Sequence, residues 1–149
     1  CCRRTARALA PRYTLAEFEK QAGNRRGELQ YLVECNRIDP FYREMHIRMG
    51  EAYEALGKLA QAAQEFEVAA AVLPGMDRAY LSSQGQATAA DSSQELNARA
   101  DLWLRAAKIR HHLSDFERRD SLVLRILQLD GAMDSQAAAR ELQQEWRGK

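Results

Sequence analysis

Apolar side chains recur every three or four positions along two stretches of this chain. In the second stretch Ala62, Phe66 and Ala69 follow one another at the spacing of one buried face of an α-helix. No stretch alternates apolar and polar residues for long enough to indicate a β-strand. The pattern therefore predicts an all-α fold, with one helix over about residues 42–56 and another over about residues 59–73.

Glycine and proline interrupt the chain at a regular interval. Gly23 and Gly57 are 34 positions apart, and so are Pro40 and Pro74. A glycine after a helix is typical of the left-handed C-terminal position, and a proline cannot continue a helix. Gly50, inside the first predicted helix, is explained if another helix must approach closely there. The interval indicates a helical hairpin that recurs and stacks on its neighbour.

Residues 43–76 resemble a tetratricopeptide repeat (TPR), whose pattern is W-x2-L-G-x2-Y, then A-x3-F, then P. Here those positions are occupied by His46, Met49, Gly50, Tyr53, Ala62, Phe66 and Pro74. Residues 9–42 resemble the family more weakly, and residues 77–133 resemble a degenerate form of it. The resemblance implies a solenoid of antiparallel helix hairpins with a C-terminal capping helix.

Two registers are open for the second half of the chain. In one, residues 102–131 form a degenerate hairpin in which Trp103 takes the first aromatic position. In the other, residues 77–89 form the first helix of a third unit, and Ser92 caps a long second helix, with Glu95 completing a capping box. Both registers predict antiparallel helices.

The two ends of the chain differ in charge and in expected role. Four arginines and two cysteines precede the first acidic residue, Glu17. We predict residues 1–12 as a basic N-terminal arm or juxtamembrane flank, and residues 13–149 as the TPR-like domain. A flank beside a membrane helix, an acylated cysteine pair and a solvated end are alternative interpretations of the arm. The last helix, with Asp134 or Ser135 as its N-cap, is expected to cap the stack.

Composition narrows the class of function. The formal net charge of the 149 residues is +1, so no global field selects a nucleic acid. Three cysteines do not make a disulfide framework, which fits a reducing compartment, and Cys35 is expected as a small packing residue. No apolar run approaches the length of a membrane span. We predict a cytoplasmic location, which includes attachment to the inner face of a membrane.

The sequence contains no pattern that indicates catalysis. The segment from Gly50 to Lys58 lacks the spacing of a phosphate-binding loop. His111 and His112 are adjacent, so on a helix they point about 100° apart and cannot share one metal ion. His46 stands alone and is expected in the core or beside the groove. We therefore expect no enzyme activity, no cofactor and no metal.

The resemblance also implies where a partner would bind. In the family, the first helix of each unit lines the concave surface. The side chains in those positions here are Tyr13, Glu17, Lys20, Gln21, Glu44, Ile47, Arg48, Glu51 and Glu54. The residues that the second unit contributes to this surface are mainly acidic, which would suit a partner that carries Lys or Arg. We expect a non-catalytic scaffold or adaptor that binds a helix or an extended peptide of another protein.

The wider setting has one main prediction and two alternatives. TPR proteins commonly serve as docking subunits, which suggests the cytoplasmic part of a membrane-anchored bacterial protein of envelope, secretion or exopolysaccharide assembly. One alternative is a self-associating structural module, since an exposed terminal helix can stack on another copy. The other is a regulatory repeat domain of a larger transcription or signalling protein.

Overall fold

A computed structural model of the chain describes residues 2–72 and 92–148. All the regular secondary structure in these two ranges is α-helical, which confirms the all-α prediction. The helices are α1 (Cys2–Gln21), α2 (Arg25–Ile38), α3 (Arg43–Ala55), α4 (Leu59–Ala71), α5 (Ser93–His112), α6 (Phe116–Gln128) and α7 (Met133–Arg147). The bounds of α3 and α4 agree with the predicted ones to within two residues.

Three hairpins share one turn geometry. We call them hairpin 1 (α1–α2), hairpin 2 (α3–α4) and hairpin 3 (α5–α6). Two residues after the end of each first helix, the chain has a residue with positive φ: Gly23 (75°), Gly57 (73°) and Ser114 (58°). The amide of that residue donates to the carbonyl three positions back, and the next amide donates to the carbonyl five positions back, at 2.8 to 3.0 Å. These paired bonds satisfy the last carbonyls of a helix and reverse the chain.

The turns define which positions are equivalent in the three hairpins. Gly57 lies 34 positions after Gly23, as the predicted period requires, and Ser114 lies 57 positions after Gly57. Each register predicted for the second half is therefore right in one part. Hairpin 3 is the degenerate hairpin of the first register, while α5 begins at the N-cap Ser92 that the second register predicts. Pro74 and the predicted helix over 77–89 lie outside the described residues.

Arg43 of α3 links the start of α5 to the end of α4. The hydroxyl of Ser92 accepts the amide of Glu95 at 3.2 Å, but the carboxylate of Glu95 does not complete a capping box. It binds the guanidinium of Arg43, with the closest N–O distance at 2.5 Å. Arg43 also donates to the carbonyls of Ala69 and Val72, which have no partner within α4. A tertiary ion pair has thus replaced the predicted local contact.

Each helix packs against the next along the chain, and α7 packs against both α5 and α6. The buried apolar residues form two clusters. One joins α1, α2 and α3, and the other runs from α4 to α7. Half-buried Tyr53 of α3 contacts both clusters. Cys35 is fully buried in the first cluster, as predicted, and burial raises the pKa of its thiol to about 11.

Helices α3 and α4 approach closely at Gly50, which confirms the role predicted for that glycine. A Cβ at this position would lie 2.7 Å from Cε1 of Phe66, whose ring is fully buried. The equivalent residues of hairpin 1 are Ala16 and Leu32, and both are fully buried. In hairpin 2 the smallest residue therefore faces a large ring, and in hairpin 1 a larger residue faces a smaller side chain, so both contacts are filled.

Helix α1 passes through the boundary predicted between the arm and the repeat domain. It runs from Cys2 to Gln21 with Pro11 inside it, so a division after residue 12 falls within a helix. What residues 1–12 do stays a prediction. No helix within residues 2–72 and 92–148 combines the length and the apolar character needed to cross a membrane.

The start of the last helix differs from the prediction. The N-cap of α7 is Ala132, and no side chain caps the helix. The predicted cap Ser135 lies within α7, where its hydroxyl donates to Asp101 of α5 at 2.7 Å. The side-chain amide of Gln136 donates to the last carbonyls of α6, including that of Leu129 at 2.9 Å. The side chains of Ser135 and Gln136 thus bind neighbouring helices instead of capping α7.

Candidate functional site

The first helices of the three hairpins are joined by polar side chains, which makes one surface of α1, α3 and α5. We call it the α1–α3–α5 face. Its described members are Tyr13, Glu17, Lys20, Glu44, Glu51, Glu54 and Arg105. All but Arg105 belong to the groove predicted from the sequence. Two arginines, one on α3 and one on α5, make the connections.

Arg48 connects α3 to α1. One guanidinium nitrogen lies 3.2 Å from carboxylate oxygens of both Glu17 and Glu28, and the guanidinium lies 4.6 Å from the ring centre of Tyr13. Burial lowers the pKa of Arg48, but hydrogen bonds with Tyr13 and Glu28 leave it raised overall, so the side chain stays charged. Glu28, which is 1% exposed, also binds Arg25 at 2.8 Å.

The burial of Arg48 corrects one predicted groove residue. The residue is only 4% exposed, and its guanidinium pairs with carboxylates of the same chain. Its Nε has no hydrogen-bond partner within the part of the chain that the structure describes. Arg48 therefore supports the α1–α3–α5 face from below instead of lining it. Tyr13 is half-buried beside it, and burial raises the pKa of the Tyr13 hydroxyl.

Arg105 connects α5 to α3 in the same way. Its guanidinium lies 3.3 Å from Glu51 and 3.2 Å from Glu54, and it also covers the ring of Phe66 at 4.2 Å. Arg105 is 57 positions after Arg48, so the two arginines are equivalent. The sequence prediction missed Arg105 because the register of hairpin 3 was open. The acidic charge predicted for this surface is therefore partly compensated.

The remaining predicted residues take different environments. Glu44 is exposed and makes no ion pair with a described residue. Partial desolvation, then the charge of Glu51, raises the pKa of the Glu44 carboxyl. Gln21 donates to Glu17 at 3.3 Å, and Ile47 packs against the second apolar cluster. Lys20, at the end of α1, is half-buried. Glu44 is thus the acidic side chain of this face that is open to a ligand.

His46 of α3 is 4% exposed, which agrees with the expectation of a core or groove histidine. Its Nδ1 is 2.8 Å from a carboxylate oxygen of Glu65, and its Nε2 is 2.8 Å from the carbonyl of Pro40. Both partners accept, so both ring nitrogens must carry a proton. Burial lowers the pKa of His46, but the two hydrogen bonds outweigh it and leave the pKa raised.

The other two histidines do not form a ligand set. His111 stacks on Trp146 with ring centres 4.6 Å apart, and its Nδ1 is 2.8 Å from Arg119. Within the described ranges no three His, Cys, Asp or Glu side chains are placed to hold a metal ion. What the α1–α3–α5 face offers is therefore hydrogen bonding, ion pairing and a small apolar area.

Comparison of the chain with models of known protein families finds no match, and comparison with curated proteins finds none either. The resemblance to TPR units thus rests on the residues of the sequence alone.

Proposed function

We propose that this protein is a non-catalytic adaptor of TPR-like architecture, whose α1–α3–α5 face holds a helix or an extended peptide of a partner protein. One observation carries the proposal. The pairs Arg48–Glu17 and Arg105–Glu51 occupy equivalent positions and join the first helices of successive hairpins. These long side chains bridge α1 to α3 and α3 to α5, and the surface that they span is of the kind on which helical repeats bind peptides.

The charge of the face supports a basic partner. Glu44 and Glu51 lie close enough for the charge of Glu51 to raise the pKa of the Glu44 carboxyl. Arg105 compensates Glu51 from one side. Glu44 forms no ion pair with a described residue, and the charges of Arg48 and Lys20 lower the pKa of its carboxyl by less than burial and Glu51 raise it. A Lys or Arg of a partner placed beside Glu44 would relieve this repulsion.

Peptide selection tests the proposal. Random peptides displayed on phage would be selected against the immobilised protein, and the affinity of synthetic copies would be measured by fluorescence anisotropy. We expect the selected peptides to carry Lys or Arg and to bind a Glu44→Lys variant at least about tenfold more weakly. Glu44 is chosen because its replacement breaks no ion pair with a described residue.

The matched control is Glu117→Lys, the same charge reversal at an exposed position of α6. Its peptide affinity should equal that of the unaltered protein, and circular dichroism should show the same helix content for all three proteins. Peptides that bind Glu44→Lys undiminished, or that are selected without basic residues, would refute binding at this face.

Self-association is a second candidate function, because one observation favours it. Leu15 and Phe18 lie one turn apart on α1 and are 43% and 62% exposed. A second copy of the chain could cover them. Sedimentation should then show a mass that rises with concentration, and Phe18→Glu should abolish the rise. A mass independent of concentration would rule this candidate out.

The proposed cellular setting is the inner face of a bacterial membrane. The four arginines before Glu17 are typical of a segment on the inner side of a membrane. A docking subunit of a bacterial envelope, secretion or exopolysaccharide assembly system would also lie there. A regulatory repeat domain of a transcription or signalling protein would carry the same face. Fractionation of the source cell, followed by detection in the membrane or the cytoplasmic fraction, separates the two settings.

A further inference from the structure

A concave surface lies along α2, apart from the α1–α3–α5 face. It encloses about 520 Å³ between one side of α2 and the turn that joins α3 to α4. We call it the α2 groove. The residues that give it its character are Arg26, Leu29, Val33, Arg37, Leu56 and Lys58. None of the residues that define the α1–α3–α5 face lines it.

The groove follows a helical stripe. Its α2 residues recur at intervals of three and four from Arg26 to Arg37, a distance of about 16 Å along the helix axis. Leu29, Val33 and Leu56 are half-buried, so they form an apolar floor that water still reaches. This length and this floor match the apolar face of a helix of three turns.

The rim of the groove is positively charged. Arg26, Arg37 and Lys58 are exposed, and none of them forms an ion pair with a residue in the described ranges. The carboxylate in the groove, Glu34, is already paired with Arg12 of α1 at 3.0 Å. Three uncompensated cations therefore border this surface, although the net charge of the whole chain is only +1.

The equivalent surface of hairpin 2 is covered by a helix of the same chain. Ala63 and Glu67 of α4 correspond to Leu29 and Val33 of α2, which lie 34 positions earlier. Ala63 is fully buried, and Glu67 accepts from Arg110 of α5 at 3.0 Å. On α4, then, a helix occupies this surface through apolar packing and one charge pair. On α2 the corresponding residues Leu29 and Val33 are covered only in part and remain half-buried.

We propose that the α2 groove binds an acidic amphipathic helix of a partner protein. The apolar side chains of that helix cover Leu29, Val33 and Leu56, and its carboxylates pair with the cations of the rim. A nucleic acid fits less well, because phosphate binding needs a longer series of cations and gains nothing from an apolar floor. A lipid surface is disfavoured because membrane insertion requires apolar side chains that protrude, whereas these are recessed.

A charge-swap selection tests this proposal. The probe is a library of synthetic helical peptides with leucines fixed on one face and with Glu or Lys at each flanking position. After capture on the immobilised full chain, the ratio of Glu to Lys at those positions is read by sequencing the bound peptides. We expect Glu to be enriched about tenfold over Lys with the unaltered protein.

The variant Arg26→Glu/Arg37→Glu/Lys58→Glu should reverse this preference to Lys. The control variant Arg118→Glu/Arg140→Glu/Arg147→Glu makes the same change in total charge at exposed positions of α6 and α7, and should keep the preference for Glu. Neither variant alters the α1–α3–α5 face, so both should still bind peptides selected for that face. The proposal for the α2 groove and the proposal for that face can therefore fail independently. Circular dichroism checks that both variants fold.

Three results would overturn the proposal. The first is no enrichment of either charge on the unaltered protein. The second is an equal loss of Glu preference in the control variant, which would show that only total charge matters. The third is displacement of the bound peptides by a short DNA duplex or by anionic lipid vesicles at lower concentration than by free Glu-rich peptide, which would assign the cations to a polyanion.

Discussion

Arg48 in hairpin 2 and Arg105 in hairpin 3 occupy equivalent positions, yet their surroundings differ. The side chain of Arg48 is 4% exposed and lies between two carboxylates, whereas that of Arg105 is 41% exposed and pairs with glutamates that water also reaches. Coulomb attraction and the cost of desolvation both grow as water is removed. The same residue in the same register is therefore a structural element in one hairpin and a surface element in the other.

Other equivalent positions differ in a related way. Gly50 faces Phe66 in hairpin 2, while Ala107 and Val123 hold these positions in hairpin 3, where both are fully buried. The turn glycine of hairpin 2 is replaced by Ser114 in hairpin 3. At the contact between its helices, hairpin 2 thus combines a glycine with a large ring, whereas hairpin 3 combines two side chains of more similar size. Four experiments test this contrast.

The largest effect is expected from removing the buried charge. Arg48→Met should lower the free energy of unfolding by about 3 kcal/mol, the lower end of the range for a broken buried ion pair, because buried Glu28 loses Arg48 but keeps Arg25. Arg105→Met should lower it by less than about 1 kcal/mol, since its ion pairs are solvated. Urea denaturation of both variants measures the difference. Equal losses would contradict the contrast between the two arginines.

The next effect concerns the close approach of α3 and α4. Gly50→Ala should lower the free energy of unfolding, because the new methyl group meets the buried ring of Phe66 and such overpacking costs about 1 to 3 kcal/mol. Helix propensity returns about 1 kcal/mol, so the expected net loss is about 1 kcal/mol. Thermal unfolding followed by circular dichroism measures the change.

A double variant sharpens this test. Gly50→Ala combined with Phe66→Leu recreates the Ala16 and Leu32 pair of hairpin 1. The two replacements together should cost about 1 kcal/mol less than the sum of their separate costs, since the smaller side chain makes room for the methyl group. Additive costs would show that the size match between these two positions is not what sets the helix spacing.

A smaller effect should appear as a pH dependence of hairpin 2. The pKa of His46 is raised in the folded protein, so its contribution to stability is fully present below about pH 6.5, the unfolded value, and is lost as pH rises through the folded pKa. The loss is about 1.4 kcal/mol for each unit by which the folded pKa is raised. Trp103, at the equivalent position of hairpin 3, cannot titrate in this range.

The measurement is the free energy of unfolding of the native protein and of His46→Gln between pH 5 and pH 9, a range around the unperturbed pKa. The difference between the two proteins should shrink as pH rises. A difference that stays constant across this range would mean that His46 is not doubly protonated in the folded state.

The smallest effect is expected at the turns. Ser114→Gly should raise the free energy of unfolding by about 1 kcal/mol, because glycine adopts positive φ without the steric cost of a side chain. Gly57→Ser should lower it by a similar amount in hairpin 2. Chemical denaturation of the two single variants gives both values. A loss of stability in Ser114→Gly would show that the serine side chain has a role that the backbone geometry does not explain.

Local signals explain why much of the fold was predictable. The turns at Gly23 and Gly57, the bounds of α3 and α4 and the N-cap Ser92 all follow from residues near one another in the chain. Backbone conformation and helix capping depend on such neighbours.

The misplaced features share the opposite property. Ser135 was expected to cap α7 and Glu95 to complete a capping box, but each is bound to a residue of another helix. The sequence predicts Arg48 on the surface, but the structure buries it. Its burial depends on Glu28 of α2 and Tyr13 of α1, and the sequence near Arg48 does not show these contacts. A polar side chain has several partners within reach of its own helix, and the choice among them is made only when helices pack.

The sequence by itself therefore determined the helices, the hairpin turns and the residues that must be small or apolar, since these follow from propensity and periodicity over a few residues. Only the tertiary structure decided which charges are buried, which are compensated and which are free. It paired Glu51 with Arg105, enclosed Arg48 and left the cations of the α2 groove without an ion-pair partner in residues 2–72 and 92–148. The reason is physical: the energy of a charge depends on the water and the opposite charges that other helices remove or supply.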